Sequence, residues 1–383
     1  MYKVGIMTWF QQRNYGTALQ VVALSEIIKK TGYSPTIIQY YYDKVEPYDA
    51  AQRIKRMIRK VVSRLRSTGI PPYVSKERDG KFEEFLLNHL CFSDECRTLS
   101  ELEALNDKFD CFVCGSDQIW GTAYFKPHYF LDFVHDDRKK IAYAPSIGTP
   151  KMDDKKVGKE VARLCSSFAY LSTREEVGSK IIQDLTGRDV KTVLDPTLLL
   201  YKDDWNKLLD TNSELPKSPY LIAYMLGHNE SHWKNIYAIA DKLNLNVIII
   251  PVFQKDLDRQ GCITYPIGPA EFISLIKNSD YVCTDSFHGM AFSVIFGKQF
   301  TVFERFKKHD VYNQNSRIYN LTDKLNLSDR IFRKEADIKM IDSKIDYERV
   351  SKVRKALVDD SVDYLKTALD AVITYQNTEK NKF

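Results

Sequence analysis

Short apolar segments alternate with segments of helical periodicity along most of this chain. The apolar segments have the length of buried β-strands, and turn residues separate them from helices that bury one face. Such alternation is typical of parallel sheets covered by helices on both faces. The chain is therefore predicted to be an α/β protein with ligands bound outside the carboxyl ends of the strands. Strands are predicted at residues 3–8, 34–41, 109–114, 140–143, 170–172, 192–194, 220–224, 246–251 and 281–284, and helices at 17–30, 229–243 and 270–277.

A polar segment with two prolines, residues 201–219, divides the chain into two parts. A chain of 383 residues is long enough for about two domains. We therefore predict an N-terminal domain at 1–200 and a C-terminal domain at 201–345, facing each other across a cleft. A stripe of apolar residues at helical spacing runs through 347–373. Residues 346–383 are predicted to form a C-terminal helix and tail that crosses back over the domains.

The composition is that of an ordinary globular protein, with 44% hydrophobic and 28% charged residues. The net charge of +5 suits small anionic substrates or an anionic membrane surface, and it is too small to indicate nucleic-acid binding. No signal-peptide pattern opens the sequence, and no apolar run reaches the length of a membrane span. A cytoplasmic location is expected, with contact at the inner face of the membrane left open.

The seven cysteines include one C-x-x-C pair, Cys111 and Cys114, on a predicted strand. Positions three apart on a strand face opposite sides, so these two thiols are poorly placed to share a metal ion. No second pair at zinc spacing occurs elsewhere in the sequence. We expect reduced, mostly buried cysteines and no metal site.

The segment 53–66, RIKRMIRKVVSRLR, has seven basic residues and no acidic one. Its apolar residues recur at helical spacing, which indicates a basic amphipathic helix. Such a helix can lie on an anionic membrane, or it can pack by one face on the protein with its basic face in water. The apolar stripe contains no Trp or Phe, which favours the second interpretation.

The segment 281–297, YVCTDSFHGMAFSVIFG, combines a buried strand, a polar turn and a helix of small and apolar residues. A helix that begins at the carboxyl end of a strand presents free N–H groups and a positive dipole end to an anion. The turn also carries His288, whose side chain exchanges protons near neutral pH. The alternative is a helix start capped by Asp285 or Ser286, with His288 buried for structural reasons.

Residues 14–20, NYGTALQ, follow the first strand and open a helix. Gly16 allows the backbone to approach a ligand closely, and the helix N-terminus favours an anion. The segment is not a G-x-G-x-x-G motif, so a dinucleotide is not indicated. The alternative is a local turn in which Asn14 caps the helix.

Residues 115–120, GSDQIW, follow another strand and place small and polar side chains at its end. Asp117 can accept a proton from a hydroxyl or hold a sugar hydroxyl. The alternative is an Asx-turn with Trp120 in the core.

Arg174 follows the strand at 170–172, where its guanidinium can clamp a carboxylate or phosphate. Arg317 can reach an anion in the cleft, whereas most cations of the segment 303–309 are expected in solvent. A surface ion pair with Glu175 is the alternative for Arg174. The segment Asp195-Pro196-Thr197 is interpreted mainly as a structural turn.

Several of these segments together resemble the polysaccharide pyruvyl transferase family. The resemblance implies two Rossmann-like domains like those of the GT-B glycosyltransferases. It also implies transfer of a pyruvyl group from phosphoenolpyruvate to sugar hydroxyls, which gives a pyruvate ketal. The motifs that carry the resemblance are NYGTALQ (14–20), GSDQIW (115–120), YAPSIG (143–148), STREEVG (172–178), VLDPTLLL (193–200), TDSFHGMAFSVIFGKQF (284–300) and SRI (316–318).

The resemblance assigns roles to residues in each domain, with the acceptor on the N-terminal side and the donor on the C-terminal side. No cofactor is expected, because phosphoenolpyruvate is a substrate. His288 and Asp117 are the expected catalytic residues. The donor-binding residues are Arg174, Arg317, Ser286 and Gly289, and the acceptor- or anion-binding residues are Asn14, Tyr15, Gly16, Ser116 and Gln118.

The chain departs from the family pattern at one position of the strand-to-helix turn. Where ketal-forming members resemble S-x-R-L-H, this chain has Ser286 at the Arg position and keeps His288. Arg174 and Arg317 are the candidates to replace the missing donor-binding cation.

Two other functions are compatible with the same motifs. One is a GT-B-like glycosyltransferase that uses a nucleotide-sugar, and the other is a glycan- or anion-binding protein that has lost catalysis. The sequence leaves open whether the acceptor is a lipid-linked oligosaccharide, a nucleotide-sugar or a free glycan. It also leaves the oligomeric state open.

Overall fold

The computed structural model describes residues 1–41, 72–122, 125–152, 154–209, 216–306 and 313–380. The predicted basic segment 53–66 lies outside these residues. The described chain forms two five-stranded parallel sheets with helices packed on them.

The first sheet is built from residues before position 143. Its strands are β1 (Lys3–Met7), β2 (Ser34–Tyr40), β3 (Phe92–Cys96), β4 (Cys111–Cys114) and β5 (Lys140–Ala142). They lie in the order β3-β2-β1-β4-β5 and all pair in parallel. The accompanying helices are α1 (Tyr15–Lys30), α2 (Lys76–His89) and the short α3 (Leu99–Glu103).

A two-stranded parallel sheet follows the first sheet in the chain. It consists of β6 (Ser172–Thr173) and β7 (Lys191–Thr192). A bridge from Ile141 to Tyr170 places it beside β5. The helices of this part are α4 (Lys155–Ser166), α5 (Glu176–Thr186) and α6 (Lys202–Lys207).

The second large sheet begins after the polar segment. Its strands are β8 (Tyr220–Tyr224), β9 (Asn246–Ile249), β10 (Tyr281–Thr284), β11 (Gln299–Phe303) and β12 (Ile331–Phe332). They lie in the order β12-β11-β10-β8-β9, again all parallel. Its helices are α7 (Glu230–Leu243), α8 (Pro269–Asn278), α9 (Phe287–Ile295) and α10 (Ser316–Lys324).

These sheets confirm the predicted fold of two Rossmann-like α/β units. They fall on either side of residue 200, while the predicted boundaries at 200 and 345 stay predictions. The sequence analysis did not identify the helices α2 to α6 or the strands β3, β11 and β12. Strand β3 reads FSDEC and is half exposed, so it lacks the apolar run on which a buried strand is recognised.

Tyr15, the first residue of α1, joins the two halves of the molecule. Its ring stacks on Phe272 of α8 with 4.5 Å between centroids, and its hydroxyl donates to the Ile267 carbonyl at 2.9 Å. Burial raises the pKa of Tyr15 to about 12, so the hydroxyl keeps its proton for this bond. One hydrophobic cluster accordingly includes side chains from both large sheets.

The C-terminal helix α11 (Tyr347–Lys380) crosses back over the molecule, as the sequence predicts. Near its start, the Tyr347 hydroxyl donates to the Ser293 carbonyl at 3.3 Å in the second half. Further along, the Tyr364 hydroxyl donates to the Ala142 carbonyl at 3.1 Å in the first sheet. The helix therefore contacts both halves of the molecule.

Cys111 and Cys114 lie buried in β4, and burial raises the pKa of Cys111 to about 12. Among the described residues, no cluster of His, Cys, Asp or Glu side chains has the arrangement of a metal site. No helix in the described ranges is both long enough and apolar enough to cross a membrane.

Leu369 tests how much α11 stabilises the fold, because its side chain is fully buried. Leu369→Ala should lower the free energy of unfolding by about 2–5 kcal/mol through lost burial and a residual cavity. Urea denaturation measures this loss. Lys366→Ala in the same helix is the control, since its side chain is about half exposed. An equal effect of both substitutions would contradict a structural role for the crossing.

Candidate functional site

The carboxyl ends of the strands from both halves converge on one polar cluster. In each sheet the strand order reverses next to the first strand, between β1 and β4 and between β8 and β10. Ligands of open α/β sheets bind at such switch points. Ser116 and Asp117 follow β4, and Asp285 follows β10. The small sheet adds Arg174 after β6, and Asp195 follows β7 a few residues later.

The turn after β10 is fixed by its own hydrogen bonds. The Ser286 hydroxyl accepts from the Gly289 amide at 3.3 Å, which is a helix N-cap. A side chain at Gly289 would place its Cβ 2.5 Å from Thr284 Oγ1, so close packing requires glycine there. The predicted donor-binding groups of Ser286 and Gly289 thus bond to each other. The amides of Phe287 and His288 remain without an acceptor among the described residues.

The imidazole of His288 lies between the two halves of the molecule. Its Nε2 atom is 3.6 Å from Asp195 Oδ2 and is buried without a hydrogen-bond partner among the described residues. On the other side it packs on Gly16, where a Cβ would be only 2.0 Å from His288 Nδ1. The side chain is 10% exposed. Closure of the two halves therefore requires glycine at position 16.

Asp195 is the carboxylate at the centre of the cluster. Its Oδ2 accepts from Arg174 Nη1 at 2.6 Å and from Ser116 Oγ at 3.5 Å. Its Oδ1 accepts from the Thr197 amide at 2.9 Å and the Thr197 hydroxyl at 2.7 Å. Burial alone would raise its pKa, but His288, Arg174 and Thr197 together hold the pKa of Asp195 well below its usual range. Asp195 is therefore ionised and fully bonded.

Arg174 balances two buried carboxylates. Its Nε donates to Glu175 Oε1 at 3.1 Å, and its Nη1 donates to Asp195. Burial would lower the pKa of Arg174, but Glu175, Asp195 and Asp117 raise it above its usual value. The third nitrogen, Nη2, is buried and has no partner among the described residues. Arg174 therefore positions Asp195, and its Nη2 remains available to donate a hydrogen bond.

Asp117 joins the start of α1 to the loop after β4. Its Oδ2 accepts from the Thr17 hydroxyl at 2.6 Å, and its Oδ1 accepts from the Gln118 amide at 2.9 Å. Its φ of 78° lies in the left-handed region, an unusual conformation for a residue with a side chain. The Gln118 side chain packs on Gly148, where a Cβ would be 2.3 Å from Nε2. Both residues thus help to shape the floor of the site.

Arg305 and Arg317 form a cationic side of the cluster beside Asp285. Arg305 Nη2 donates to the Asp285 carbonyl at 2.9 Å, and Arg317 Nη2 donates to Gln314 Oε1 at 2.7 Å. The Nε atoms of both arginines are buried without a hydrogen-bond partner in the described chain, although Arg305 Nε lies within ion-pair distance of Asp285. Burial, then the charges of Arg174 and Arg305, lower the pKa of Arg317 to about 10. An anion would relieve this repulsion.

Asp285 fixes the loop after β8 through two short bonds. Its carboxylate accepts from the Leu226 amide at 2.6 Å and the Gly227 amide at 2.8 Å. Arg305 Nε lies 3.6 Å from the same carboxylate. The turn after β10 and the loop after β8 therefore form one rigid wall of the cluster.

A cavity of about 340 Å³ opens beside this cluster, between the two halves. Asn14 and Tyr15 line it from the N-terminal half, and Tyr224, Leu226 and Val252 line it from the C-terminal half. Asp117, Asp195 and His288 are not among the described residues that line the cavity, although Gly16, the residue after Tyr15, packs on the His288 imidazole. The predicted acceptor residues Asn14 and Tyr15 thus border a space large enough for a sugar.

The structure brings most of the sequence-predicted residues together, although their contacts differ. Ser116, Asp117 and Arg174 surround the Asp195–His288 pair, while Gly16 packs on the imidazole. Asn14 caps α1 by accepting from the Thr17 amide at 3.2 Å. Tyr15, Ser286 and Gly289 mainly make structural contacts. Which of these residues bind substrate or act in catalysis stays a prediction.

Sequence reasoning missed Asp195 as the centre of the site and Arg305 as part of it. Asp195 was assigned to a structural turn, and Arg305 was grouped with solvent-exposed cations. A buried aspartate at the carboxyl end of a predicted strand, followed by Pro196, is a signal that could have identified Asp195. No comparable local signal exists for Arg305, because its contact with Asp285 joins residues 20 apart across two strand ends.

Two parallel α/β units that meet at the carboxyl ends of their strands, with a helix crossing back, define the GT-B-like class of fold. The sequence model of the family described as "Polysaccharide pyruvyl transferase" matches residues 14–305. The chain belongs to this family of transferases, and the predicted family resemblance is confirmed. A search of curated protein sequences found no match.

Among solved structures, the chain is similar to a UDP-GlcNAc 2-epimerase from Methanocaldococcus jannaschii, with 13% identity and a TM-score of 0.50 over 91% of this chain and 93% of that one. It is also similar to a UDP-GlcNAc 2-epimerase from Neisseria meningitidis, with 12% identity and a TM-score of 0.47 over 94% and 99%. A Streptomyces sp. SF2575 glycosyltransferase, SsfS6, has 12% identity and a TM-score of 0.43 over 97% and 100%. The likeness to the first of these is one of fold.

Gly16→Ala tests the contact between α1 and His288. The added methyl group must displace the imidazole or separate the two halves, because its Cβ would lie 2.0 Å from Nδ1. We expect a shift of the His288 ring resonances in NMR spectra and a lower melting temperature. Gly80→Ala in α2 is the matched control, since a Cβ there meets nothing within 4 Å. It should be neutral or stabilise by about 0.5–1 kcal/mol. Unchanged His288 resonances in Gly16→Ala would contradict the contact.

Asp195→Asn tests the buried ion pair through pH. The pKa of Asp195 is lowered on folding, so its charge stabilises the fold above the unfolded pKa of about 4 and this stabilisation is lost at lower pH. The variant should lose about 3–5 kcal/mol at neutral pH, with the deficit shrinking below about pH 4. Urea unfolding between pH 3 and pH 7 measures it. Asp359→Asn, at an exposed pair with Lys355, is the control and should change stability by less than about 1 kcal/mol. A deficit independent of pH would contradict an ionised Asp195.

Proposed function

We propose that this protein transfers the pyruvyl group of phosphoenolpyruvate to two hydroxyls of a sugar, forming a pyruvate ketal. The observation that carries the proposal is the His288–Asp195 pair, held where the strand ends of both halves meet in a member of the pyruvyl transferase family. A histidine beside an ionised carboxylate is suited to move protons at a reacting centre.

Phosphoenolpyruvate carries a phosphate and a carboxylate, and the cluster offers cationic groups for both. Arg305 and Arg317 each keep a buried Nε without an acceptor, and Arg174 keeps Nη2. The first turn of α9 adds the free amides of Phe287 and His288. In this proposal Ser286 caps the helix, while Arg305 and Arg317 supply the positive charge that an arginine at position 286 would give.

His288 is the group proposed to transfer protons. Its Nε2 faces Asp195, which leaves Nδ1 to exchange a proton with a substrate near the start of α1. The Asp195 carboxylate lies 3.6 Å from Nε2, where it is proposed to orient the imidazole during the reaction. Asp195 itself is a poor base, because its pKa is lowered and both of its oxygens already accept hydrogen bonds.

Two protons end up on new atoms in the proposed reaction, one on C3 of phosphoenolpyruvate and one on the released phosphate. His288 gives its proton to C3 of phosphoenolpyruvate, which becomes a methyl group, and C2 becomes electrophilic. A sugar hydroxyl forms a bond to C2 and gives its proton to His288. The C2–O bond to phosphate then breaks, and a second hydroxyl bonds to C2 while its proton leaves with inorganic phosphate. No electrons are gained or lost, so no redox cofactor takes part in this scheme.

The acceptor sugar is proposed to lie in the cavity beside Asn14 and Tyr15. Because neither His288 nor Asp117 is among the described residues that line this cavity, the proposal requires the sugar to extend past Tyr15 and Gly16 toward them. Asp117 already accepts from the Thr17 hydroxyl at 2.6 Å, so it is assigned an orienting role toward the acceptor.

The function is tested by the release of inorganic phosphate from phosphoenolpyruvate and by mass spectrometry of the glycan. The product should gain the mass of one pyruvate less one water. His288→Ala should lower the rate by about 10²–10⁴-fold, with folding checked by circular dichroism because the buried imidazole also packs on Gly16 and lies beside Asp195. His135→Ala, at an exposed position, is the control and should keep full activity.

Two outcomes would overturn the proposal in different ways. Full phosphate release by His288→Ala would remove the histidine from the mechanism. Release of a nucleoside diphosphate from a nucleotide-sugar, with phosphoenolpyruvate unused, would replace pyruvyl transfer by glycosyl transfer.

A further inference from the structure

The cavity beside Asn14 and Tyr15 has a cationic wall that the proposed reaction does not use. Arg13 and Arg78 line it together with one acidic residue, Asp79, and so do Tyr73 and Val74, which precede α2; the two arginines exceed the one carboxylate of this lining. The donor groups of the proposed reaction, Arg305 and Arg317, are not among its lining residues. The cavity therefore presents its own positive charge to a second ligand.

Two helices begin at this cavity. Helix α1 begins at Tyr15 behind the Asn14 cap, and α2 begins at Lys76 behind the Ser75 cap. Each cap accepts one amide of the first turn, Thr17 in α1 and Arg78 in α2. The first turn of α1 has no acidic residue, whereas in α2 Glu77 bonds its own amide and Asp79 adds a second carboxylate. Both helices thus direct a positive dipole end toward the same space.

Arg78 is held in place without a carboxylate partner in the described chain. Its guanidinium donates to the Arg13 carbonyl at 2.9 Å and the Tyr73 carbonyl at 3.4 Å, and it lies 5.3 Å from the centroid of the Tyr15 ring. Its Nε is buried and has no acceptor among the described residues. The charge of Arg78 is therefore positioned by the main chain and remains uncompensated.

Arg13 is only loosely paired. Its Nε lies 3.9 Å from Asp79 Oδ1 and its Nη2 lies 3.8 Å from Glu83 Oε2, both beyond hydrogen-bond distance. The side chain is 35% exposed, so water screens both pairs. A bidentate anion in the cavity can displace these contacts at little cost, because charge-assisted guanidinium bonds are stronger.

The rest of the cavity suits a sugar more than a second free anion. Tyr73, Tyr224, Leu226 and Val252 give it flat, largely apolar walls. Its volume of about 340 Å³ exceeds what a lone phosphate fills, and it falls within the range of small-molecule sites. Asn14 and Tyr15 border the side that precedes Gly16 in the chain, whereas the side with Arg13 and Arg78 lies at the beginnings of both helices.

We propose that the cavity binds the phosphate or diphosphate ester that links the acceptor sugar to its carrier. The ester contacts Arg13, Arg78 and the first amides of α1, and the sugar extends toward His288. This inference rests on the proposed function, which it deepens by naming a phosphate-bearing acceptor class. Nucleoside diphosphate and lipid diphosphate sugars share this chemistry.

Binding of inorganic pyrophosphate to the full chain, measured by isothermal titration calorimetry, tests the site. Arg13→Gln should weaken the affinity by about tenfold or more and leave phosphoenolpyruvate binding unchanged. Arg13 is the primary variant because its side chain makes only long ion pairs, so the fold should be preserved. Arg78→Gln should give a larger loss, with its melting temperature recorded because Arg78 also bonds two carbonyls.

Two controls separate this site from the donor site and from surface charge. Arg163→Gln removes an exposed arginine paired with Glu160 and should change neither affinity. Arg317→Gln should weaken phosphoenolpyruvate binding and spare pyrophosphate. UDP-N-acetylglucosamine and farnesyl diphosphate then identify the carrier, since the matching ester should bind more tightly than pyrophosphate in an Arg13-dependent manner.

The result that overturns the inference is pyrophosphate binding unchanged by Arg13→Gln and Arg78→Gln, or no pyrophosphate binding at all. If the His288-dependent reaction of phosphoenolpyruvate persists in that case, only this inference fails. If pyrophosphate binds through Arg13 while phosphoenolpyruvate is not consumed, the phosphate-ester site stands and the pyruvyl-transfer proposal fails.

Discussion

The buried charge of Asp195 is the constraint on which the rest of the site depends. A carboxylate removed from water is costly unless it is paired and fully hydrogen-bonded. Here Arg174, Thr197 and Ser116 provide these bonds, and the residues come from three different strand ends. Their convergence fixes the small sheet against the first large sheet and gives His288 a charged partner. Loss of one partner would leave the others with unsatisfied buried groups.

The convergence of His288, Asp117 and Arg174 was predictable because it follows from backbone topology. Each residue follows a strand of a parallel sheet, and ligands of such sheets bind at the carboxyl ends of the strands, so two domains that face a cleft were expected to direct these ends toward it. The pairing partners were not predictable, because an ion pair between Arg174 and Asp195 depends on how the small sheet packs. The C-x-x-C segment, by contrast, needed only strand periodicity to be assigned to the core. Local sequence patterns thus predicted which residues lie at the site, whereas tertiary packing determined which residues they pair with.

The turn at Ser286 has no positive side chain at the position where the S-x-R-L-H pattern of ketal-forming family members has an arginine. Ser286 uses its hydroxyl as a helix cap, a role that an arginine side chain does not fill. The positive groups of the region come instead from Arg305 and Arg317, which reach the turn from β11 and α10. The family motif is thus retained at His288, while the cations of the site are supplied by other elements.

The helix that crosses both halves has a consequence for how the molecule is made. Helix α11 follows both large sheets in the chain, yet Tyr364 bonds the main chain of β5 from a position 222 residues away. During synthesis the first sheet is completed long before α11 is made. The face of the sheet that α11 covers therefore stays exposed to solvent until the helix has been synthesised. Contacts of such long sequence separation slow folding, because the loop entropy is lost before the contact forms. The early sheet therefore depends on a late segment, and truncated chains of this protein should be strong clients of chaperones.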